Sequence, residues 1–338
     1  MLTLTEWKGF YRDDRILEED LHEGGWFGVN AARTESPAIK AEGLTKYYGK
    51  SRGITDLDLT VKRGEFFGYI GPNGAGKSTT IRILIGLIKR TGGRAEVLGM
   101  DPEADKEAIL ANVGYLPSEA VFYQGLKVKD IIRLSADLRK MDCSNEAAKL
   151  CERLRLDRNK KISELSFGNR KKVAIVCALQ HKPELYILDE PTGGLDPLMQ
   201  REFFTILKKR NRDGATIFLS SHILSEVQQH CGRAAIIREG RIIACDNVSE
   251  LIKANARRIK VRTGSVSSGE NSRLMDIIGR LNAVRDVKQH DDGADFLYGG
   301  DINELIRGLS DIRLTDLDIS EPELDEIFMH YYQDGGEA

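Results

Sequence analysis

Residues 64–79 read GEFFGYIGPNGAGKST. Phe66 to Ile70 is a short apolar run behind a glycine, the pattern of a buried strand. Gly71, Pro72, Asn73, Gly74, Ala75, Gly76, Lys77 and Ser78 then match the spacing G-x-x-x-x-G-K-[ST], and beyond Thr79 the residues Ile81, Leu84, Ile85 and Ile88 recur at helical spacing. A strand, a glycine-rich loop and a helix in that order suit a polyphosphate. The glycines let the backbone approach, the helix start offers N–H groups, and a lysine brings positive charge. In this reading Lys77 reaches the β- and γ-phosphates of a triphosphate and the Ser78 hydroxyl ligates Mg²⁺. The plain alternative is a glycine-rich loop before an ordinary helix, and the flanking strand and helix weigh against it.

A second stretch, LYILDE at 185–190, is an apolar run that ends in two acids, Asp189 and Glu190. At the end of a buried parallel strand, one carboxylate can hold Mg²⁺ and its neighbour can polarise water for phosphoryl transfer. Either acid alone could simply be solvated. Around these stretches strands alternate with helices: RKKVAIVCALQ, PLMQREFFTILKKR, ATIFLSS, ILSEVQQH and RAAIIREGRIIACD. This alternation predicts an α/β fold with a mainly parallel sheet covered on both faces. Residues 103–168, more polar and helical in period, read as a helical subdomain. From 256 to 338 the order β-α-β-β-α-β-α, closing on EPELDEIFMHYY, predicts a small α+β accessory domain of ferredoxin-like type.

The chain has 338 residues, 41% hydrophobic and 30% charged, with a formal charge of -2. That is enough for two domains and gives no electrostatic reason to expect nucleic-acid binding. No apolar run nears the roughly 18 residues needed to span a bilayer. The first 37 residues hold eight Asp/Glu against four Lys/Arg and both tryptophans, Trp7 and Trp26. This is the wrong pattern for a secretory leader, so a cytoplasmic protein is expected. The segment reads as an appended extension, either a docking arm or an addition without a role. Cys143, Cys151, Cys177, Cys231 and Cys245 are scattered and odd in number, which points to reduced thiols rather than a disulfide framework or a zinc site.

The ordered series GPNGAGKST, LSFGN, LYILDEP, GGLD and SSH resembles the nucleotide-binding domain of ATP-binding cassette (ABC) ATPases, a P-loop NTPase (RecA-like) fold, over residues 38–255. The C-terminal region resembles the appendage on cassettes of bacterial export-type transporters. The resemblance implies ATP and Mg²⁺ as ligands, and it implies roles for individual residues. Lys77, Ser78 and Thr79 contact phosphate and metal, Asp189 is the metal-side acid, and Glu190 polarises water. His222 senses the γ-phosphate, and Asp196 lies in a loop that communicates across a dimer. Tyr48, with Tyr47 as competitor, stacks on adenine.

Two positions depart from the family pattern. Ser118 stands where a glutamine usually contacts Mg²⁺, and Glu119, next to it, offers a longer oxygen-bearing side chain. LSFGN stands for the usual L-S-G-G-Q. Ser166 and Gly168 retain the hydroxyl and the small residue that meet phosphate, while Phe167 replaces a glycine and Asn169 shortens a glutamine. Ser166 also suits a helix N-cap. Because this turn acts on the ATP of a partner subunit, the resemblance implies a second cassette, together with a membrane-spanning permease at the cytoplasmic face of the membrane. The expected function is the ATPase subunit of an exporter of a drug, peptide, lipid or ion. A soluble non-transport ABC ATPase, or a poorly hydrolysing regulatory cassette of a heterodimer, are the alternatives.

Overall fold

A computed structural model of the chain describes residues 36–253, 257–263 and 269–320. The N-terminal extension with its tryptophans and the C-terminal EPELDEIFMHYY lie outside the described residues, apart from Ser36 and Pro37.

The phosphate-loop strand is the third of the chain. β1 (Ile39–Tyr48) and β2 (Ser51–Val61) precede β3 (Phe66–Ile70), and β4 (Gly92–Val97) follows the helix Lys77–Leu84. Then come β5 (Val113–Leu116), β6 (Leu185–Asp189), β7 (Thr216–Ser221), β8 (Arg233–Arg238) and β9 (Arg241–Asn247). Six strands form one sheet in the order β5-β6-β7-β3-β8-β9. Its pairs are parallel except β8–β9, a hairpin. β1, β2 and β4 form a separate antiparallel sheet, β2-β1-β4, which the alternation of helix and strand does not announce.

Side chains alternate across a strand, so a strand buried on both faces feeds two cores. Phe67, Tyr69, Leu185, Ile187 and Phe218 join the core shared with β1, β2 and β4. Their neighbours Phe66, Ile70, Tyr186, Leu188, Ile217 and Leu219 join the opposite core, with the helices Val128–Asp137, Ser144–Arg153, Phe167–Leu179 and Pro197–Arg212. All five residues of β6 are buried. Fully burying each of its leucines or isoleucines contributes roughly 1.5–3 kcal/mol.

The helical subdomain starts later than the polarity of 103–168 suggests. The helix Lys106–Asn112 leads directly into β5, whose residues Val113 to Leu116 pair with Leu185 to Leu188 of the central sheet. Four residues are enough for a buried parallel strand but too few to alter the average polarity of the segment around them. Helical structure proper follows β5.

Past residue 256, β10 (Arg257–Arg262), β11 (Val284–His290), β12 (Gly293–Tyr298) and β13 (Asp316–Ser320) alternate with the helices Glu270–Arg280 and Ile302–Leu309. The strands form an antiparallel sheet ordered β11-β12-β10-β13. One face is packed with Ile259, Val261, Phe296 and Tyr298 against Leu274, Ile278, Leu305 and Leu309.

Candidate functional site

The register of the parallel sheet brings three chain segments to one edge. Ile70, the last residue of β3, lies beside Ser221 of β7, and Asp189, the last of β6, lies beside Ser220. The loop after β3, the two acids at the end of β6 and His222 after β7 therefore stand at one level of the sheet. In an open α/β sheet that edge, outside the carboxyl ends of the strands, is where ligands bind.

A cavity of about 320 Å³ opens there. It is lined by Tyr48, Arg52, Gly53, Pro72, Asn73, Gly74, Gly76, Lys77, Ser78, Thr79, Ser118 and Glu190. Gly71 and Ala75 support the loop from behind: Gly240 N–H donates to the Ala75 carbonyl at 2.8 Å. The helix Lys77–Leu84 begins at Gly76, whose φ of 111° only glycine adopts readily. A Cβ there would also meet Ile54 Cγ2 at 2.8 Å. Glycine at the N-cap brings no side-chain acceptor to the first-turn N–H groups, so they are left for a ligand.

Lys77 is 5% exposed. Its ammonium donates to the carbonyls of Gly71 at 2.5 Å and Pro72 at 3.1 Å and pairs with Glu190 Oε1 at 3.2 Å. The Ser78 hydroxyl donates to Asp189 Oδ2 at 2.8 Å, and Ser220 donates to Oδ1 at 3.1 Å. Burial pushes the Asp189 carboxyl above its ordinary range, opposed by those two hydroxyls. Glu190 Oε2 meets Nδ1 of His222 in a short contact. Glu190 takes a left-handed backbone, φ 49°. Its N–H donates to the Ser220 carbonyl at 3.0 Å.

Tyr48 and Tyr47 are both about half exposed, but only Tyr48 lines the cavity, its hydroxyl 3.5 Å from Thr79 Oγ1. Tyr47 instead accepts a hydrogen bond from Thr55. Ser118 lines the cavity, whereas Glu119 is exposed and stands outside the lining, because successive residues of the loop diverge. Arg52 and Gly53, which line the mouth, were not legible: they come from the β1–β2 hairpin, whose sheet left no alternation signal.

The residues Ser166 to Asn169 and Asp196 are outside the cavity lining. Ser166 caps the helix Phe167–Leu179 by accepting from Asn169 N–H at 3.3 Å. Asp196 likewise caps Pro197–Arg212 by accepting from Met199 N–H at 2.9 Å. Lys171, inside the Ser166-capped helix, is 2% exposed. It donates to the carbonyls of Pro117 at 3.0 Å, Ser118 at 2.8 Å and Glu190 at 2.9 Å. Burial pulls its ammonium down to about 8, against the attraction of Asp189, Glu190 and Glu119.

A buried lysine, a ligand-ready helix start and two acids at one sheet edge form a site for a nucleotide polyphosphate. A family model described as ABC transporter matches residues 54–193. The bacitracin transport ATP-binding protein of Bacillus licheniformis is 33% identical over 307 residues, 87% of this chain and 97% of that protein. The linearmycin resistance ATP-binding protein of Bacillus subtilis is 30% identical over 304 residues, 86% of this chain and 97% of that protein. A solved structure of the ATP-binding subunit of an ABC transporter aligns with a TM-score of 0.61 and 31% identity, over 64% of this chain and 92% of its own. With the phosphate loop and the paired acids in place, likeness of that extent means that the chain belongs to the ABC transporter family, as an ATP-binding, ATP-hydrolysing subunit.

Proposed function

We propose that this subunit works with a second cassette at the cytoplasmic face of the membrane, where it drives a separate membrane-spanning permease that exports a drug, peptide, lipid or ion. The observation that carries the transport reading is the extent of the likeness. The bacitracin and linearmycin relatives are matched over 97% of their own length and over 87% and 86% of this chain, which supports a likeness that runs beyond the cassette. Their names, bacitracin transport and linearmycin resistance, favour a drug-like cargo. Among the described residues no helix is long and apolar enough to cross a membrane. The C-terminal element order and the strand order β11-β12-β10-β13 support a ferredoxin-like reading of that unit.

In the hydrolytic step, Lys77 holds the β- and γ-phosphates and Tyr48 covers the adenine. Glu190 takes the proton of the attacking water while His222, bonded to its other oxygen, orients the carboxylate. Ser78 and Asp189, 2.8 Å apart, present a hydroxyl and a buried carboxylate, a donor pair that suits Mg²⁺, with Ser118 at the cavity wall. Bound Mg²⁺ would neutralise phosphate charge. A bound Mg²⁺ would be held by Ser78 and Asp189, and phosphate and water oxygens would fill its remaining positions. The signature residues Ser166, Phe167, Gly168 and Asn169 lie outside their own cavity, which supports their acting on the ATP of the second cassette.

Glu190→Gln is expected to retain ATP binding and accumulate an ATP-bound dimer with turnover reduced at least about 100-fold. Unchanged turnover would remove Glu190 from the role of base. Affinity isolation of the tagged chain from detergent-solubilised membranes should bring down a polytopic membrane protein. Recovery with soluble proteins alone would overturn the transport reading.

A further inference from the structure

A lysine in the middle of an apolar helix is costly unless its ammonium is fully bonded. Lys171 meets that condition in an unusual way. Its three N–H donors face three backbone carbonyls, those of Pro117, Ser118 and Glu190, at 2.8 to 3.0 Å. No carboxylate shares these contacts. The three acceptors belong to two loops at the nucleotide edge of the sheet, one after β5 and one after β6, while the lysine itself rides on the helix that Ser166 caps.

One of these acceptors sits on a strained residue. Glu190 has φ 49°, in the left-handed region, which is strained for a non-glycine residue. Such a conformation persists only where the surroundings over-determine it. Here the N–H of Glu190 is bound to the Ser220 carbonyl and its C=O to Lys171, so both polar groups of the residue are fixed. The direction of the Glu190 side chain, toward Lys77 and His222, follows from that backbone.

We propose that Lys171 is a positioning residue for Glu190: by binding the Glu190, Ser118 and Pro117 carbonyls it holds the left-handed backbone that aims the carboxylate. The proposal rests on the reading of Glu190 as the group that activates water. The lining of the nucleotide cavity does not include Lys171. Its loss should therefore change the rate of the chemical step and leave nucleotide binding alone.

The test uses the purified full chain. Lys171→Met keeps the length of the stem and removes all three donors. It is expected to lower kcat by about 10- to 100-fold, the cost of misplacing a reacting group by an ångström or less, with the KM for ATP and the Kd of a fluorescent ATP analogue within about twofold of wild type. Lys171→Arg keeps donors and charge on a planar fork that cannot face three carbonyls at once, and should recover part of the lost kcat at unchanged KM. In a Glu190→Gln background, Lys171→Met should bring no further loss, because the group it positions is already disabled. Turnover at wild-type level in both lysine variants overturns the proposal. So does loss of nucleotide binding in either variant, or a full additional loss of turnover in the double variant. If Glu190→Gln alone keeps its turnover, the failure lies with the reading of Glu190, and the single lysine variants then show whether Lys171 matters at all.

Discussion

The ring of Phe167 lies against Gly194, so closely that a Cβ built on Gly194 would stand 2.3 Å from Cδ1 of the ring. A Cβ on the adjacent Gly168 would fall 2.3 Å from the Gly194 carbonyl oxygen. The aromatic that departs from the family signature is thus accommodated within its own chain, on the loop that runs to Asp196, with half its surface still exposed. Gly194 has φ +80°, so any side chain there is both strained and in collision with the ring. Gly194→Ala is expected to displace Phe167 and reduce ATP-dependent dimerisation about tenfold, as read by sedimentation in a Glu190→Gln background, while costing only ~1–2 kcal/mol of stability. Dimerisation equal to the parent would show that the ring and the loop are not coupled.

Ser78 and Asp189 form the polar centre of the site. Removing the hydroxyl with Ser78→Ala leaves the 2%-exposed Asp189 carboxylate with Ser220 as its remaining side-chain donor. Without nucleotide, the variant should lose about 1–3 kcal/mol of unfolding free energy, the usual cost of a buried acceptor deprived of a donor. Asp189→Asn should recover much of that stability in the Ser78→Ala background but not the turnover. Denaturant titration and ATPase assay separate the two effects.

Tyr48 lines the cavity and Tyr47 does not. Tyr48→Ala should raise the KM for ATP about three- to tenfold with kcat nearly unchanged, as expected for one lost ring contact. Tyr47→Ala should leave KM within about twofold. The reverse pattern would reassign the adenine contact.

Burial of His181 yields a pH dependence unrelated to catalysis. Desolvation lowers its pKa from the ordinary 6.5 to about 4, and Nε2 lies 3.3 Å from the Val113 carbonyl. The folded state holds the ring neutral, whereas the unfolded chain takes up a proton as pH falls below about 6.5. The unfolded state then binds more protons, so stability declines from pH 6.5 down to about 4, by up to about 3 kcal/mol in all, and levels off below. His181→Gln should reduce the slope of that portion of the stability profile measured by urea unfolding, leaving the share of His230, whose pKa burial likewise lowers to about 4. A profile as steep as the parent's would exclude His181 as its source.

The nucleotide loop, the acid pair and the alternation of strand with helix that implies a parallel sheet were legible because each is local. Gly71 to Ser78 needs only one loop, Asp189 and Glu190 only one strand end, and the helix N-cap at Ser166 only four residues. What was not legible depends on pairing at long range. Nothing in β1, β2 and β4 declares that they leave the parallel sheet for one of their own, so Arg52 and Gly53 went unseen at the mouth of the cavity. β5 left no mark on the helical period of residues 103–168, because four residues carry too little periodicity. Lys171 gave no signal at all. In sequence it is one of two adjacent lysines, and its three carbonyl partners come from positions 53, 54 and 19 residues distant.

The register of the sheet bears on which changes evolution can accept. Because Asp189 sits level with Ser220, and Ser221 with Ile70, the buried strands act as rulers whose lengths are fixed by what stands at their ends. A volume-conserving exchange inside β6 or β7 leaves these levels intact. Deleting a single residue from either would move the acid or the serine by one strand position, about 3.3 Å, and turn its side chain to the opposite face. Homologous cassettes should therefore vary freely in loop length on the far edge of this sheet, while admitting no insertion or deletion between Leu185 and Asp189 or between Thr216 and Ser221.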